Sequence, residues 1–162
     1  MSMILSKDTA DKKLRRMALE VAERNYEKDS LILIGIKENG IFIAKKIAEY
    51  LKEVFKGKIG MMELWIDKKQ PGEIRLDREA DFNNKNILLI DDVANSGRTM
   101  LYALKPLLRQ LPNQVQTLAL VERTHKLFPI AVDYVGVSVS TTLQENIVVE
   151  VENGEIMGAW LT

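Results

Sequence analysis

Apolar residues recur along this chain in two rhythms. In "SKDTADKKLRRMALEVAERNYEKDS" they fall at Leu14, Met17, Ala18, Val21 and Ala22, the spacing of one helix face, with Ser6 or Asp8 able to cap its start. "SLILIGI" is instead a short continuous apolar run with Gly35 near its end, which predicts a buried strand. "GIFIAKKIAEYLKEVF" returns to helical spacing and carries lysines toward its end, where they suit the helix dipole. "KIGMMELWI", "NILLIDD" and "QVQTLALVER" predict three further strands, and "SGRTMLYALKPLLRQL" a helix kinked by Pro106. The remainder, "DYVGVSVSTTLQENIVVEVENGEIMGAWLT", alternates short apolar runs around Asn153 and Gly154, a strong hairpin signal.

Strands alternating with helices imply a mostly parallel sheet covered on both faces, joined by right-handed crossovers. Ligands of such sheets lie at the carboxyl ends of the strands. Two loops are thereby singled out: "GIKENG" after the first predicted strand and "DDVANSGRT" after the third. Residues 67–85 are polar, punctuated by Pro71 and Gly72, and lack an apolar period. A loop of about twenty residues in a compact domain is expected to be a lid or binding element. Its cations, Lys68, Lys69, Arg75 and Arg78, are balanced by Asp67, Glu73, Asp77 and Glu79, so a plain solvated loop is the competing reading.

Composition narrows the chemistry. The 162 residues fit a single domain, residues 1–162, without repeats or low-complexity tracts. Lys+Arg and Asp+Glu both number 23, so no overall charge draws the chain to nucleic acid or to a membrane. The absence of cysteine excludes disulfides, thiolate metal sites and cysteine nucleophiles, and the single histidine, His125, excludes a multi-histidine metal centre. The start of the chain lacks the order of a secretory leader, and no apolar run approaches the roughly 20 residues that span a bilayer. A soluble, cytoplasmic protein is the expectation.

The third strand runs directly into Asp91 and Asp92. Ionised carboxylates only accept hydrogen bonds, so a vicinal diol or a hydrated cation is their natural partner. The next residues, Ala94, Asn95, Ser96, Gly97, Arg98 and Thr99, offer consecutive backbone amides, two hydroxyls and a guanidinium at the start of a helix, an anion nest. An acceptor pair beside a phosphate nest matches a ribose phosphate. The blander alternative is a capped turn, with Gly97 serving the backbone and Ser96 or Thr99 the helix.

The pattern resembles the phosphoribosyl pyrophosphate motif of type I phosphoribosyltransferases. "LILIGIKENGIFIAKKIAEYL", "LLIDDVANSGRTM" and "VERTHKLFPIAVDYVGVSV", in this order, resemble the pyrimidine operon attenuator and uracil phosphoribosyltransferase family, over nearly the whole chain. Hypoxanthine phosphoribosyltransferases share "DYVG" but typically carry Glu-Asp in place of Asp91 and Asp92. The resemblance implies an α/β, type I phosphoribosyltransferase fold: a mostly parallel central sheet flanked by helices, with a small hood region. It also implies transfer of a phosphoribosyl group from phosphoribosyl pyrophosphate to a nucleobase, foremost uracil, with magnesium bound mainly through the substrate's pyrophosphate.

Carried over by residue, the resemblance gives the ribose hydroxyls to Asp91 and Asp92 and the 5′-phosphate to residues 94–99. Lys37, Glu38, Asn39 and Gly40 become the pyrophosphate loop, Arg123 lies near the pyrophosphate side, and Tyr134 and Val137 belong to the base-binding hood. A homo-oligomer, dimer or larger, is implied as well. Three positions depart from the usual pattern: Ser96 for Thr, Asn39 for Arg and Thr124 for Gly. Other readings stay open: a purine phosphoribosyltransferase, a nucleotide sensor with weak transferase activity, for which Asn39 argues, and an RNA-binding attenuator. RNA binding rests on "KKLRR" at residues 12–16, where a solvated helix face is favoured. His125 in "ERTHK" reads as a surface residue, and Met17, Met61, Met62 and Met100 as core filler.

Overall fold

The computed structural model describes residues 1–142 and 144–162. A six-stranded sheet forms its centre, in the order β4-β3-β2-β5-β6-β7, built from β2 (Ser30–Ile36), β3 (Lys58–Ile66), β4 (Ile74–Leu76), β5 (Asn86–Ala94), β6 (Gln114–Arg123) and β7 (Tyr134–Val139). All neighbours run parallel except β4, which pairs antiparallel with β3 at the edge. A smaller antiparallel sheet, ordered β1-β9-β8, joins β1 (Ser2–Leu5), β8 (Ile147–Glu152) and β9 (Glu155–Leu161) and forms the hood. Its hairpin turns at Asn153 and Gly154, both with positive φ, as the Asn-Gly pair demands.

Helices cover both faces of the central sheet, and this explains the continuous apolar runs of its strands. Helix α1 (Lys7–Arg24) and α2 (Asn39–Val54) pack with Leu31, Leu33, Leu88, Ile90, Leu118 and Leu120 into one core, which extends under the hood. The alternate residues Ile34, Ile36, Ile87, Leu89 and Ala119 enter a second core with α3 (Arg98–Ala103), α4 (Lys105–Leu108) and Phe82. The α1 positions expected to be buried are buried, with Ala10 in addition, and the Ser6 side chain caps the helix by accepting from the Thr9 amide at 3.2 Å. The break between α3 and α4 falls at Leu104, two residues before Pro106, whose missing N–H and ring prevent one continuous helix.

Three expectations need correction. The first strand is β1, four residues long and held by β9, too short for a periodic signal. Residues 67–85 are not structureless, because Ile74–Leu76 pairs with Leu64–Ile66. Tyr134 does not face a hood ligand. It opens β7 at the amino end, is 0% exposed, and its hydroxyl donates to Gln116 Oε1 at 2.8 Å and accepts from Asn25 Nδ2 at 3.3 Å. Arg24 lies over its ring. No helix among the described residues is long and apolar enough to cross a membrane. Tyr134→Phe is expected to lower stability by about 1–2 kcal/mol in denaturant unfolding, since it removes both hydrogen bonds of the hydroxyl without leaving a large cavity.

Candidate functional site

Strands β2 and β5 are adjacent in the sheet but not in sequence. From β2 the chain crosses through α2 to β3 on one side, and from β5 it crosses through α3 and α4 to β6 on the other. Right-handed crossovers put these helices on opposite faces, so a crevice opens where β2 and β5 end. The turn from β2 into α2 carries Lys37, Glu38, Asn39 and Gly40; the end of β5 and the turn into α3 carry residues 94–99. Gly40 permits their approach, because a Cβ there would stand 2.7 Å from the Ile90 carbonyl oxygen and 3.1 Å from Asp91 Cα.

Asp91 is 1% exposed; its Oδ1 accepts from the Asp92 amide at 2.8 Å, and both its oxygens lie 3.2 Å from Lys68 Nζ. Asp92 is held by the Val93 amide at 2.8 Å and by Asn39 Nδ2 at 3.2 Å. The same Asn39 nitrogen donates to the Val149 carbonyl of the hood at 2.8 Å. Asn39 is therefore a tie between the acidic pair and β8. Burial first, and the neighbouring Asp92 charge second, push the Asp91 carboxyl well above the ordinary carboxylate range; Lys68 pulls the other way. Burial works against the Lys68 ammonium, but Asp91 and Asp92 outweigh it and hold its pKa above the usual lysine value.

The β5 loop is shaped by Gly97, whose φ of 88° places it in the left-handed region, with Ile130 where a Cβ would go. Ser96 Oγ accepts from the Arg98 amide at 3.3 Å, while among the described residues no protein group accepts from the amides of Asn95, Ser96 and Gly97. These three residues, with Thr99, Asp91 and Lys68, line a pocket of about 60 Å³. A wider pocket of about 400 Å³ adjoins the β2 loop, lined by Lys37, Glu38, Trp65, Asp67, Glu73 and Arg75. Larger hollows between β4 and α4 and between α1 and α2 touch neither loop, so chemistry and not volume selects the site.

Other expected site residues serve differently. Arg98 turns its guanidinium to the carbonyls of Lys68 (2.7 Å) and Lys69 (3.2 Å), strapping the segment after β3 to α3. Arg123, 8% exposed, does not reach the β2 loop: it donates to Asn95 Oδ1, Thr141 Oγ1 and the carbonyls of Thr142 and Glu145, which fixes the loop after β7 against the β5 loop. Val137 pairs with Val121 and packs half-buried on the hood-side core. Of the four cations after β3, Lys68 reaches the acidic pair, Arg75 lies over Trp65, and Arg78 donates to the Met61 carbonyl at 2.7 Å. Trp65 was assigned no role from sequence, yet Lys37 also stands 4.4 Å from its ring centroid. The signal was its place one residue beyond Leu64, the partner of Ile36, which sets it level with Lys37. His125 is exposed, as expected, and Met17, Met62 and Met100 are buried.

Residues 1–153 match the family described as "Phosphoribosyl transferase domain". This chain belongs to that family. The "Pyrimidine operon regulatory protein" of Lactococcus lactis subsp. lactis (strain IL1403) is 36% identical over 152 residues, 91% of this chain and 88% of that one. The "Bifunctional protein PyrR" of Streptococcus uberis (strain ATCC BAA-854 / 0140J) is 37% identical over 148 residues, 88% and 86% of the two chains. Among solved structures, the hypoxanthine phosphoribosyltransferase of Trypanosoma cruzi superposes with a TM-score of 0.77 over 86% of this chain and 82% of that one, at 15% identity. That likeness shows the phosphoribosyltransferase fold.

The raised pKa of Asp91 has a definite sign in stability. With a folded value above the unfolded 3.8, the stabilising contribution is fully present below the unfolded value and is lost as pH rises through the folded one. Asp91→Asn is therefore expected to raise the thermal midpoint at neutral pH, and the gain should shrink as the pH approaches the ordinary carboxylate range. Calorimetric scans across pH check this; a lower midpoint at neutral pH would mean that the Lys68 pairing outweighs the burial of Asp91.

Proposed function

We propose that this protein transfers the phosphoribosyl group of phosphoribosyl pyrophosphate to a nucleobase, uracil foremost, releasing pyrophosphate and forming a nucleoside monophosphate. The observation that carries the reading is the pairing, in one crevice, of two carboxylate acceptors with three adjacent backbone amides that no protein group among the described residues uses. Asp91 and Asp92 take the ribose hydroxyls. The amides of residues 95–97, with the Ser96 and Thr99 hydroxyls, take the 5′-phosphate. Ala94 closes β5 and Arg98 holds the neighbouring segment in place.

Lys37, Glu38, Asn39 and Gly40 border the pyrophosphate. Asn39 contributes no charge there, and the cations beside this loop are Lys37 and, from across Trp65, Arg75. No group of three or more His, Cys, Asp or Glu among the described residues forms a metal cage. The donors at hand are the hard oxygens of Asp91 and Asp92, which suit magnesium carried mainly by the substrate's own phosphates. When bound, the metal supplies charge neutralisation for the departing pyrophosphate. The chain's part is to fix the sugar phosphate, hold negative charge beside the anomeric carbon, where positive charge develops, and keep water away beneath the segment carrying Lys68 and Lys69.

Uracil is supported by the resemblance of residues 121–139, and in this reading the backbone near Val137 takes the edge of the base. A regulatory reading draws on the names of the relatives. Against direct RNA contact by residues 12–16 stand the ion pairs of Lys12 with Asp8, Arg15 with Asp11 and Arg16 with Glu20, which use three of the four cations of that cluster locally. A cytoplasmic, homo-oligomeric enzyme formed by one domain fits this reading.

The test is pyrophosphate release from phosphoribosyl pyrophosphate with magnesium, comparing uracil, hypoxanthine, guanine and no base. Release with uracil alone is expected; a purine preference would keep the chemistry and overturn the base. The double substitution of Asp91→Asn and Asp92→Asn should abolish turnover with an unchanged circular dichroism spectrum, and full activity there would remove the ribose assignment. Thr99→Val preserves shape and is expected to weaken phosphoribosyl pyrophosphate binding about tenfold, the worth of one charge-assisted hydrogen bond. It is a cleaner probe than a Gly97 substitution, which strains the backbone whatever binds.

A further inference from the structure

The segment after β3 sends one cation into the crevice. Lys68 Nζ lies 3.2 Å from both Asp91 oxygens and 3.8 Å from Asp92 Oδ1. With the amides of Asp92 and Val93 and the Asn39 side chain, it gives every oxygen of the acidic pair a partner. Lys68 also lines the pocket of about 60 Å³ beside residues 95–97, so its ammonium stands where the acidic pair meets the loop amides. We infer that Lys68 is a built-in competitor for the ribose position, an ammonium resting on the carboxylates that take the sugar hydroxyls, and that a ribose phosphate binds as this ammonium withdraws.

The inference rests on the ribose assignment to Asp91 and Asp92. The structure shows why withdrawal is cheap. The Lys68 backbone is fixed on both sides: Arg98 holds the carbonyls of Lys68 and Lys69, and Asp67 Oδ1 accepts from the amides of Lys69 (3.0 Å) and Gln70 (3.3 Å). The side chain, by contrast, is 44% exposed and has solvent to retreat into, whereas Asp91 has none. Displacement is thus a rotation of one flexible side chain and requires no opening of the loop. Such a competitor divides the intrinsic dissociation constant by the fraction of molecules in which it has already left, and so weakens binding. Arg75 and Arg78 are engaged elsewhere, with Trp65 and the Met61 carbonyl.

The experiment is titration calorimetry of ribose 5-phosphate into the full chain, without added metal, for the wild type, Lys68→Met and Lys68→Arg. Lys68→Met should bind about fivefold tighter, the scale of releasing a half-exposed ion pair, and Lys68→Arg, which keeps the charge, should stay within about twofold of the wild type. Weaker binding by Lys68→Met would make Lys68 a ligand contact, and equal binding by all three proteins would make it a bystander; either overturns the inference while leaving the ribose site intact. No binding by any of the three would remove the ribose assignment itself, and the inference with it.

Discussion

The site depends on one constraint: β2 and β5, separated in sequence by a full crossover and a hairpin-like excursion, are hydrogen-bonded neighbours. Their parallel register, Ile34 with Leu89 and Gly35 with Ile90, sets the end of β2 at Ile36 level with Asp91, and β5 continues to Ala94. The helices that follow must leave on opposite faces because their crossovers share one hand. The crevice is thus a geometric remainder of the topology, and Gly40 narrows it by letting α2 begin against the Asp91 backbone. Everything assigned to the site, from the Asn39 tie to the free amides of residues 95–97, is placed by that adjacency.

The crevice stores electrostatic strain, and the cores on either side of the sheet support it. Asp91 is buried beside a like charge, which no folding requirement explains, since an apolar residue at the end of β5 would cost nothing. Both faces of β5 are packed with Leu88 and Ile90 on one side and Ile87 and Leu89 on the other, all fully buried. Stability gained there offsets a carboxylate kept where it is chemically useful, the usual trade between function and folding. Arg123 is a buried guanidinium that ties two loops together, through Asn95 on one side and the Thr142 and Glu145 carbonyls on the other.

The elements with strong periodicity were readable from sequence, and for a physical reason. Helix α1 must bury Leu14, Met17, Ala18 and Val21 on one face, and β2, β5 and β6 must be apolar on both, so their patterns follow from local geometry. The two acids near the end of β5 and the donors behind them were legible because the apolar run stops where the chemistry begins, although the strand itself continues to Ala94. What escaped were features set by distant partners. Strands β1 and β4 exist through pairing with β9 and β3. The inward turn of Tyr134 follows from its place at the amino end of β7, beside Gln116 and Asn25, which no local pattern encodes. The destinations of Arg98, Arg123 and Lys68 likewise depend on which loops the topology brings together.

The segment between β3 and β4 is pinned at both ends. Asp67 and Arg98 hold residues 67–70 at one end, and the ladder of Ile74–Leu76 on Leu64–Ile66 holds the other. Gln70, Gly72 and Glu73 between them are exposed, with Pro71 partly so. Loop-closure entropy rises only slowly with length, so this tip can be lengthened or shortened at small thermodynamic cost. Natural variation in the length of this turn would then leave the crevice untouched, and a reporter group grafted at Gly72 would ride outside it while its anchors stayed in register.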